Sequence, residues 1–172
     1  MAVLNALREK RSRLSPALAV LAAGVGGGLA IFVLAAVHAR TNLATLAPSF
    51  GATCALVFAN PQSPFSRPAN VIGGHLVSSA IGLVTLAILG SSPLALGVGV
   101  GLAIAGMMAT RTMHPPAGGD PLIVILTGAH IGFLIEPILF GTIAIVLIGA
   151  AYHAVSGVQY MTWPVRPRPQ SP

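Results

Sequence analysis

The sequence predicts an all-α polytopic membrane protein: four full transmembrane helices plus two short, proline-headed broken helices, arranged as a 3+3 inverted repeat. Composition is the first observation behind this. Only 7% of residues are charged and 55% are hydrophobic, with a mean hydropathy of +0.86, whereas a soluble domain is about a quarter charged. The second is spacing: neutral gaps run 26 residues from Arg13 to Arg40, 26 from Arg40 to Arg67, 43 from Arg67 to Arg111 and 29 from Glu136 to Arg166. One spanning helix needs about 20 apolar residues. The third is that the two halves of the chain read alike. Together these exclude a soluble enzyme, a nucleic-acid-binding domain and a disordered chain.

Residues 1–16 form a basic amino-terminal segment holding Arg8, Lys10, Arg11 and Arg13. Ahead of an apolar run, these cations read as a topology signal and not as a polyanion patch, although the net charge is +6 and the pI about 11.2. The run at 17–37 has 21 residues. A signal-peptide core has about 7 to 15, so the run is predicted to be a retained first span. A polar stretch at 41–47 leads to Pro48. The apolar piece at 49–59 has 11 residues and, as a helix, would be about 16 Å long, half a membrane. Pro61, Pro64 and Pro68 forbid helix across the loop at 60–70. Full spans follow at 71–89 and 94–110, separated by a turn at 90–93. Residues 111–121 interrupt the hydrophobicity, 122–135 form the second short segment, and 138–154 is the last span. Residues 156–172 read as a tail rich in Pro and Arg. Glycines four apart (Gly24 and Gly28, Gly97 and Gly101, Gly128 and Gly132) are expected to let helices pack closely.

An offset of 67 lays Thr45, Pro48 and Gly51 over Thr112, Pro115 and Gly118, and matches Val57 with Val124, Gly74 with Gly141 and Gly82 with Gly149. Residues 28–31 recur at 101–104, at offset 73. Repeat one covers about 17–89 and repeat two about 94–155 of a transmembrane domain at 17–155. Three crossings per half is odd, so the second copy enters the membrane inverted. With six crossings and a cytoplasmic amino terminus, Arg8, Lys10, Arg11, Arg13, Arg67, Arg111, Arg166 and Arg168 lie inside and Arg40 outside. If the short segments were re-entrant, Arg67 and Arg111 would move outside. The positive-inside rule prefers six crossings.

Irregular backbone at membrane depth persists only where protein or water satisfies it. Two helices starting mid-membrane, at Pro48 and within 115–121, therefore imply an internal cavity. Free N–H groups at helix starts favour an anion. The expected binding residues are Pro48, Ser49, Phe50, Gly51, Ala52 and Thr53 from one start, and His114, Pro115, Pro116, Ala117, Gly118, Gly119 and Asp120 from the other. The alternative is that the prolines merely kink two crowded helices. Asp120 is an ionisable group in a neutral region and thus a functional candidate; it could cap its own helix, pair with Arg111 or carry a coupling proton. Arg111 and His75 are assigned to a vestibule or coupling role. The five histidines fall on five segments with no short ligand pair, so no metal site and no cofactor are expected. His38 and His153 read as interfacial, and His130 as packing inside the second short segment. Cys54, the one cysteine, cannot form an intrachain disulfide. No nucleophile stands with a base, so no enzyme is expected.

The stretch His114-Pro115-Pro116-Ala117-Gly118-Gly119-Asp120-Pro121 resembles the signature of the HPP family of small integral membrane proteins. Residues 48–52, 60–64 and 67–75 resemble the same family, in family order. In the family an Asn is usual where Asp120 stands. The resemblance implies four described membrane spans and, from plant and cyanobacterial relatives, transport of nitrite. The expectation is therefore a multi-pass plasma (inner) membrane transporter or channel for a small monovalent inorganic anion, nitrite first, with the sequence leaving channel and proton-coupled carrier both open. Both termini would be cytoplasmic, its partners would be the lipid bilayer and its own copies (dimer ahead of trimer), and no nucleic acid is expected. The rival is a membrane scaffold or assembly protein without a solute path.

Overall fold

A computed structural model describes residues 15–156 and residue 160; the basic amino-terminal cluster, Arg166 and Arg168 lie outside the described residues. Among those described, every regular element is helical. The α-helices are α1 Pro16–Thr41, α2 Phe50–Cys54, α3 Pro68–Leu89, α4 Pro93–Ala109, α5 Asp120–Thr127 and α6 Phe140–Val155. A π-helical turn, Ala55–Ala59, prolongs α2, and a 3-10 turn, Pro115–Gly119, leads into α5. Three helical stretches are long and apolar enough to cross a membrane: Ala17–Thr41, Pro68–Leu89 and Ile131–Val155. The fourth full span expected from sequence is α4, whose 17 residues stand at the short end of the spanning range.

Helix starts follow local chemistry. Ser15 and Ser92 accept hydrogen bonds from the N–H groups of Leu18 and Ala95, and proline occupies the opening turn of α1, α3 and α4, where its missing N–H costs nothing. That last point corrects the loop expected at 60–70: Pro68 begins α3 instead of delaying it to Val71. A second correction concerns the short segment expected at 122–135. It stops at Thr127 because Gly128 adopts a left-handed conformation, φ 63°, the usual helix terminator. Residues Ile131–Leu134 and Ile135–Leu139 are then 3-10 and π turns leading into α6. His130 accordingly lies outside any helix, exposed, its Nδ1 accepting the Gly132 N–H.

Close approaches set the helix directions. Along α3, Ser78 meets Ala117 and Gly82 meets Pro121 and Val124, so α5 runs parallel to it. Along α6, Gly141 meets Phe50 and Gly149 meets Val57, so α2 runs parallel to α6. Gly26 of α1 faces Phe58 and Tyr152, and Gly99 of α4 faces Ile125 and Thr85; both helices run antiparallel to the pair they pack on. The glycines that allow close packing are these, not those singled out by the spacing of four. A Cβ on Gly24, Gly28, Gly97, Gly101 or Gly128 would meet nothing within 4 Å, and the Gly132 position meets only the His130 ring.

Two irregular stretches fold back into the bundle, and side chains satisfy their backbone. In the first, residues 42–49, the Thr45 hydroxyl donates to Leu34 O and Glu136 Oε2 accepts the Ala44 N–H. In the second, residues 111–119, Asn70 Nδ2 donates to Met113 O and Ser78 Oγ to Ala117 O, at 2.9 and 2.6 Å. Ser66 Oγ donates to the carbonyls of Leu56 and Asn60 at the end of the π turn. Such pairing is what allows non-helical backbone at membrane depth. The apolar core gathers Ala30, Leu34, Phe50, Val57, Phe58 and Ile145 where α1, α2 and α6 meet.

Candidate functional site

The second folded-back stretch ends against α3, where Gly73 and Gly74 leave no room for a side chain. A Cβ on Gly74 would stand 2.7 Å from both His114 Cβ and Thr112 O. This fit sets His114 at the level of His75, one residue further along α3. From the opposite side α2 brings in Thr53 through its first turn. The outcome is a fully buried row of polar side chains: His75, His114, Thr53, Asp120 and Ser79 are each 0% exposed.

The row is continuous. His75 Nδ1 lies 2.7 Å from Asp120 Oδ2, which also accepts the Ser79 hydroxyl at 3.2 Å. On its other side, His75 Nε2 lies 2.8 Å from Thr53 Oγ1. Thr53 Oγ1 in turn lies 3.1 Å from His114 Nε2, and His114 Nδ1 is 2.7 Å from the carbonyl of Phe65. Thr53 has a further acceptor within reach, Ser49 O at 3.2 Å. Phe50 sets its ring edge-on to His75, centroids 5.3 Å apart, and walls the row from the apolar core. Two buried polar atoms, Asp120 Oδ1 and Ser49 Oγ, make no hydrogen bond. Polar atoms in such surroundings are normally paired, and an unpaired one carries a cost of about 1–3 kcal/mol.

Of the residues expected from sequence, the structure brings Thr53, His75, His114 and Asp120 together. Ser49 and Phe50 border them. Ala117 is buried and offers its carbonyl to Ser78, while Pro116, Gly118 and Gly119 are half-buried. Pro48, Gly51, Ala52 and Pro115 face outward. Arg111 is exposed, in a left-handed conformation of φ 59° beyond the end of α4, and takes no part in the row. The Arg111 pairing that the sequence left open for Asp120 gives way to the His75 pair. The capping role is also absent: no side chain caps α5, because the Asp120 carboxylate turns to His75 and Ser79. His153 is fully buried with Nε2 2.8 Å from Val57 O, not interfacial. His38 does lie exposed at the end of α1, its Nδ1 2.8 Å from Leu43 O.

Sequence reasoning missed Ser78, Ser79 and Asn70. A signal existed for Ser78 and Ser79, three and four residues after His75 on one helix, hence on its face. Histidines separated in sequence also meet in space, the rings of His75 and His114 having centroids 5.1 Å apart. Among the described residues no group of three His, Cys, Asp or Glu side chains is arranged to hold a metal ion.

The chain is 30% identical over 131 residues to a transmembrane protein of Dictyostelium discoideum, covering 69% of this chain and 42% of the relative. To a second transmembrane protein of the same organism it is 32% identical over 131 residues, covering 68% of this chain and 45% of that relative. It thus spans less than half the length of these curated relatives. No solved structure matches it. The family model described as "HPP, transmembrane region" matches residues 12–161, a stretch that holds both folded-back segments and the whole buried row, and the chain therefore belongs to the HPP family of transmembrane proteins.

Proposed function

We propose that this protein carries a small monovalent anion, nitrite first, across the plasma membrane by way of the buried row where the two short helices begin. One observation carries the reading. Thr53, in the first turn of α2, and His114, just ahead of the turn into α5, share a hydrogen bond of 3.1 Å, so the two helix starts meet inside the bundle. The unpartnered Ser49 Oγ and Asp120 Oδ1 at this meeting point are polar atoms that a solute would engage. Ionisable groups in membrane interiors mark substrate or proton pathways by default.

Six crossings in a 3+3 inverted repeat accord with this. Gly74 backs onto Thr112 O and Gly141 onto Thr45 O, and the offset of 67 exchanges one pair for the other. The same offset exchanges Gly82 with Val124 for Gly149 with Val57. Gly26, facing Phe58 and Tyr152, maps onto Gly99, facing Ile125 and Thr85, once the offset of 73 is used for the first helix. Reciprocal contacts of this kind are the signature of a two-fold relation. Alternating helix directions also place Arg67 and Arg111 at one end of the bundle, and Arg40 and Glu136 at the other, as the positive-inside rule asks of cytoplasmic termini. Gly24 and Gly28, with their counterparts Gly97 and Gly101, face outward and suit the approach of a second copy.

Reconstitution tests the reading. Purified protein in liposomes should accelerate nitrite uptake down an imposed gradient relative to protein-free vesicles. No uptake of nitrite or any other small anion would favour a scaffold.

A further inference from the structure

We infer that Asp120, His75, Thr53 and His114 form a proton relay, and that a proton crosses with each anion; this rests on the transport reading above and names its coupling. Hydrogen-bond accounting carries the inference. The Phe65 carbonyl can only accept, so His114 Nδ1, 2.7 Å away, bears a proton. Nε2 of a neutral His114 is then an acceptor, and Thr53, 3.1 Å away, donates to it when its hydroxyl points there and not at Ser49 O, its other acceptor at 3.2 Å. Having one proton, Thr53 must in that state accept from His75 Nε2, 2.8 Å away. The remaining nitrogen, His75 Nδ1, shares a single proton with Asp120 Oδ2 at 2.7 Å. All donors thus point one way, from Asp120 to Phe65.

A proton arriving on the free Asp120 Oδ1 can pass down this row. The shared proton settles on His75 Nδ1, the His75 Nε2 proton moves to Thr53, and the Thr53 proton moves to His114 Nε2. Bonds formed equal bonds broken, and the added charge ends on His114. Its Nδ1–H, held by the Phe65 carbonyl at the end of the bundle with Arg67 and Arg111, is the proton that leaves, passing to water beside the exposed Phe65. The row then holds the opposite tautomers, His75 with its hydrogen on Nδ1 and His114 on Nε2, so it resets when both imidazoles and the Asp120 carboxyl turn over, while Ser49 O, 3.2 Å from Thr53 Oγ1, accepts the hydroxyl proton. A protonated Asp120 Oδ1 also donates a hydrogen bond, which removes the conflict of a fixed carboxylate beside an anion.

The other ionisable groups on elements packed against the row are engaged elsewhere: Glu136 with Ala44 N–H, His130 with Gly132 N–H, His153 with Val57 O, Tyr152 against the rings of Phe58 and His153, and Cys54 against Gly27 of α1. Arg67 and Arg111 stand at the bundle end. Among the described residues, only Asp120 and His114 face His75 as titratable neighbours.

The test uses full-length protein in liposomes with the membrane potential clamped at zero, nitrite added outside, and a lumenal pH dye. A mildly alkaline medium keeps free nitrous acid scarce, and protein-free vesicles supply the leak to subtract. Wild-type protein should acidify the lumen by one proton per nitrite taken up. Thr53→Val should drive that ratio to zero and leave any residual nitrite flux indifferent to a pH gradient, while Thr53→Ser, which keeps the hydroxyl, should restore it. Nitrite uptake without proton uptake by the wild type overturns the relay alone; absence of any nitrite uptake overturns the transport reading and the relay with it. A Thr53→Val protein with an undiminished ratio also overturns the relay. If that variant fails to fold, the wild-type ratio decides.

Discussion

The two short helices sit in sockets of opposite character. At an offset of 67 residues, the polar lining around α5 maps onto an apolar lining around α2: His114 onto Ala47, Ser78 onto Ile145 and Ser79 onto Val146. His75 maps onto Thr142 and Asp120 onto Thr53. The first socket is held by the ring of Phe50 and the side chains of Val57, Phe58 and Ile145, and Thr142 merely bonds back to Ile138 O at 2.6 Å, a local bond that satisfies the hydroxyl within its own helix. The second socket is held by hydrogen bonds between elements. One fold can therefore present a packed wall on one side and reactive groups on the other. The difference lies in five side chains.

The comparison is broken most decisively at Gly118, the counterpart of Gly51. A Cβ there meets nothing within 4 Å, so Gly118→Leu should abolish nitrite uptake in liposomes while leaving the thermal midpoint in detergent unchanged. A maleimide dye reading the buried Cys54 follows that midpoint. Next in size, His75→Leu leaves Asp120 and Thr53 without their buried partner and should cost about 1–3 kcal/mol, the penalty for unpaired polar groups in such surroundings. Thr142→Val at the matching site should cost under about 1 kcal/mol, and equal losses at both sites would erase the contrast. Gly74→Ala and Gly141→Ala sharpen it. Both force backbone or ring to shift and should each destabilise by about 1–3 kcal/mol, but only Gly74→Ala displaces His114 and should slow uptake as well. Smallest, Asp120→Asn keeps the Ser79 bond on its amide oxygen while removing the acid. Wild-type uptake should rise as the outside pH falls, because protons enter with the anion, and the Asn variant should give a flat profile.

Much of this was legible in the sequence. Gaps between charges located the long helices, and Pro48 and Pro115 located the irregular stretches, because membranes penalise charge and unpaired backbone so heavily. Thr53, His114 and Asp120 stood out as polar groups beside those prolines. Less legible was where α5 ends: residues 122–135 are apolar throughout, and only the left-handed turn at Gly128 divides them. The direction of Asp120 was also hidden. Its choice of His75 over Arg111 depends on α5 running alongside α3, a tertiary arrangement no local pattern encodes. The packing glycines were misread for the same reason, since Gly26 and Gly99 differ from Gly24 and Gly97 only in which neighbour their face meets.

The close seat of residues 112–114 on Gly73 and Gly74 has a mechanical consequence. With Thr112 and His114 pressed against α3, and Asn70 and Ser78 gripping the carbonyls of Met113 and Ala117, sliding or turning of that segment would break these contacts, and α3, the folded-back chain and α5 are expected to travel as one slab. Any rocking that exposes the interior to alternate faces then opens along the seam where α2 meets this slab, bridged in the polar row by the lone hydroxyl of Thr53.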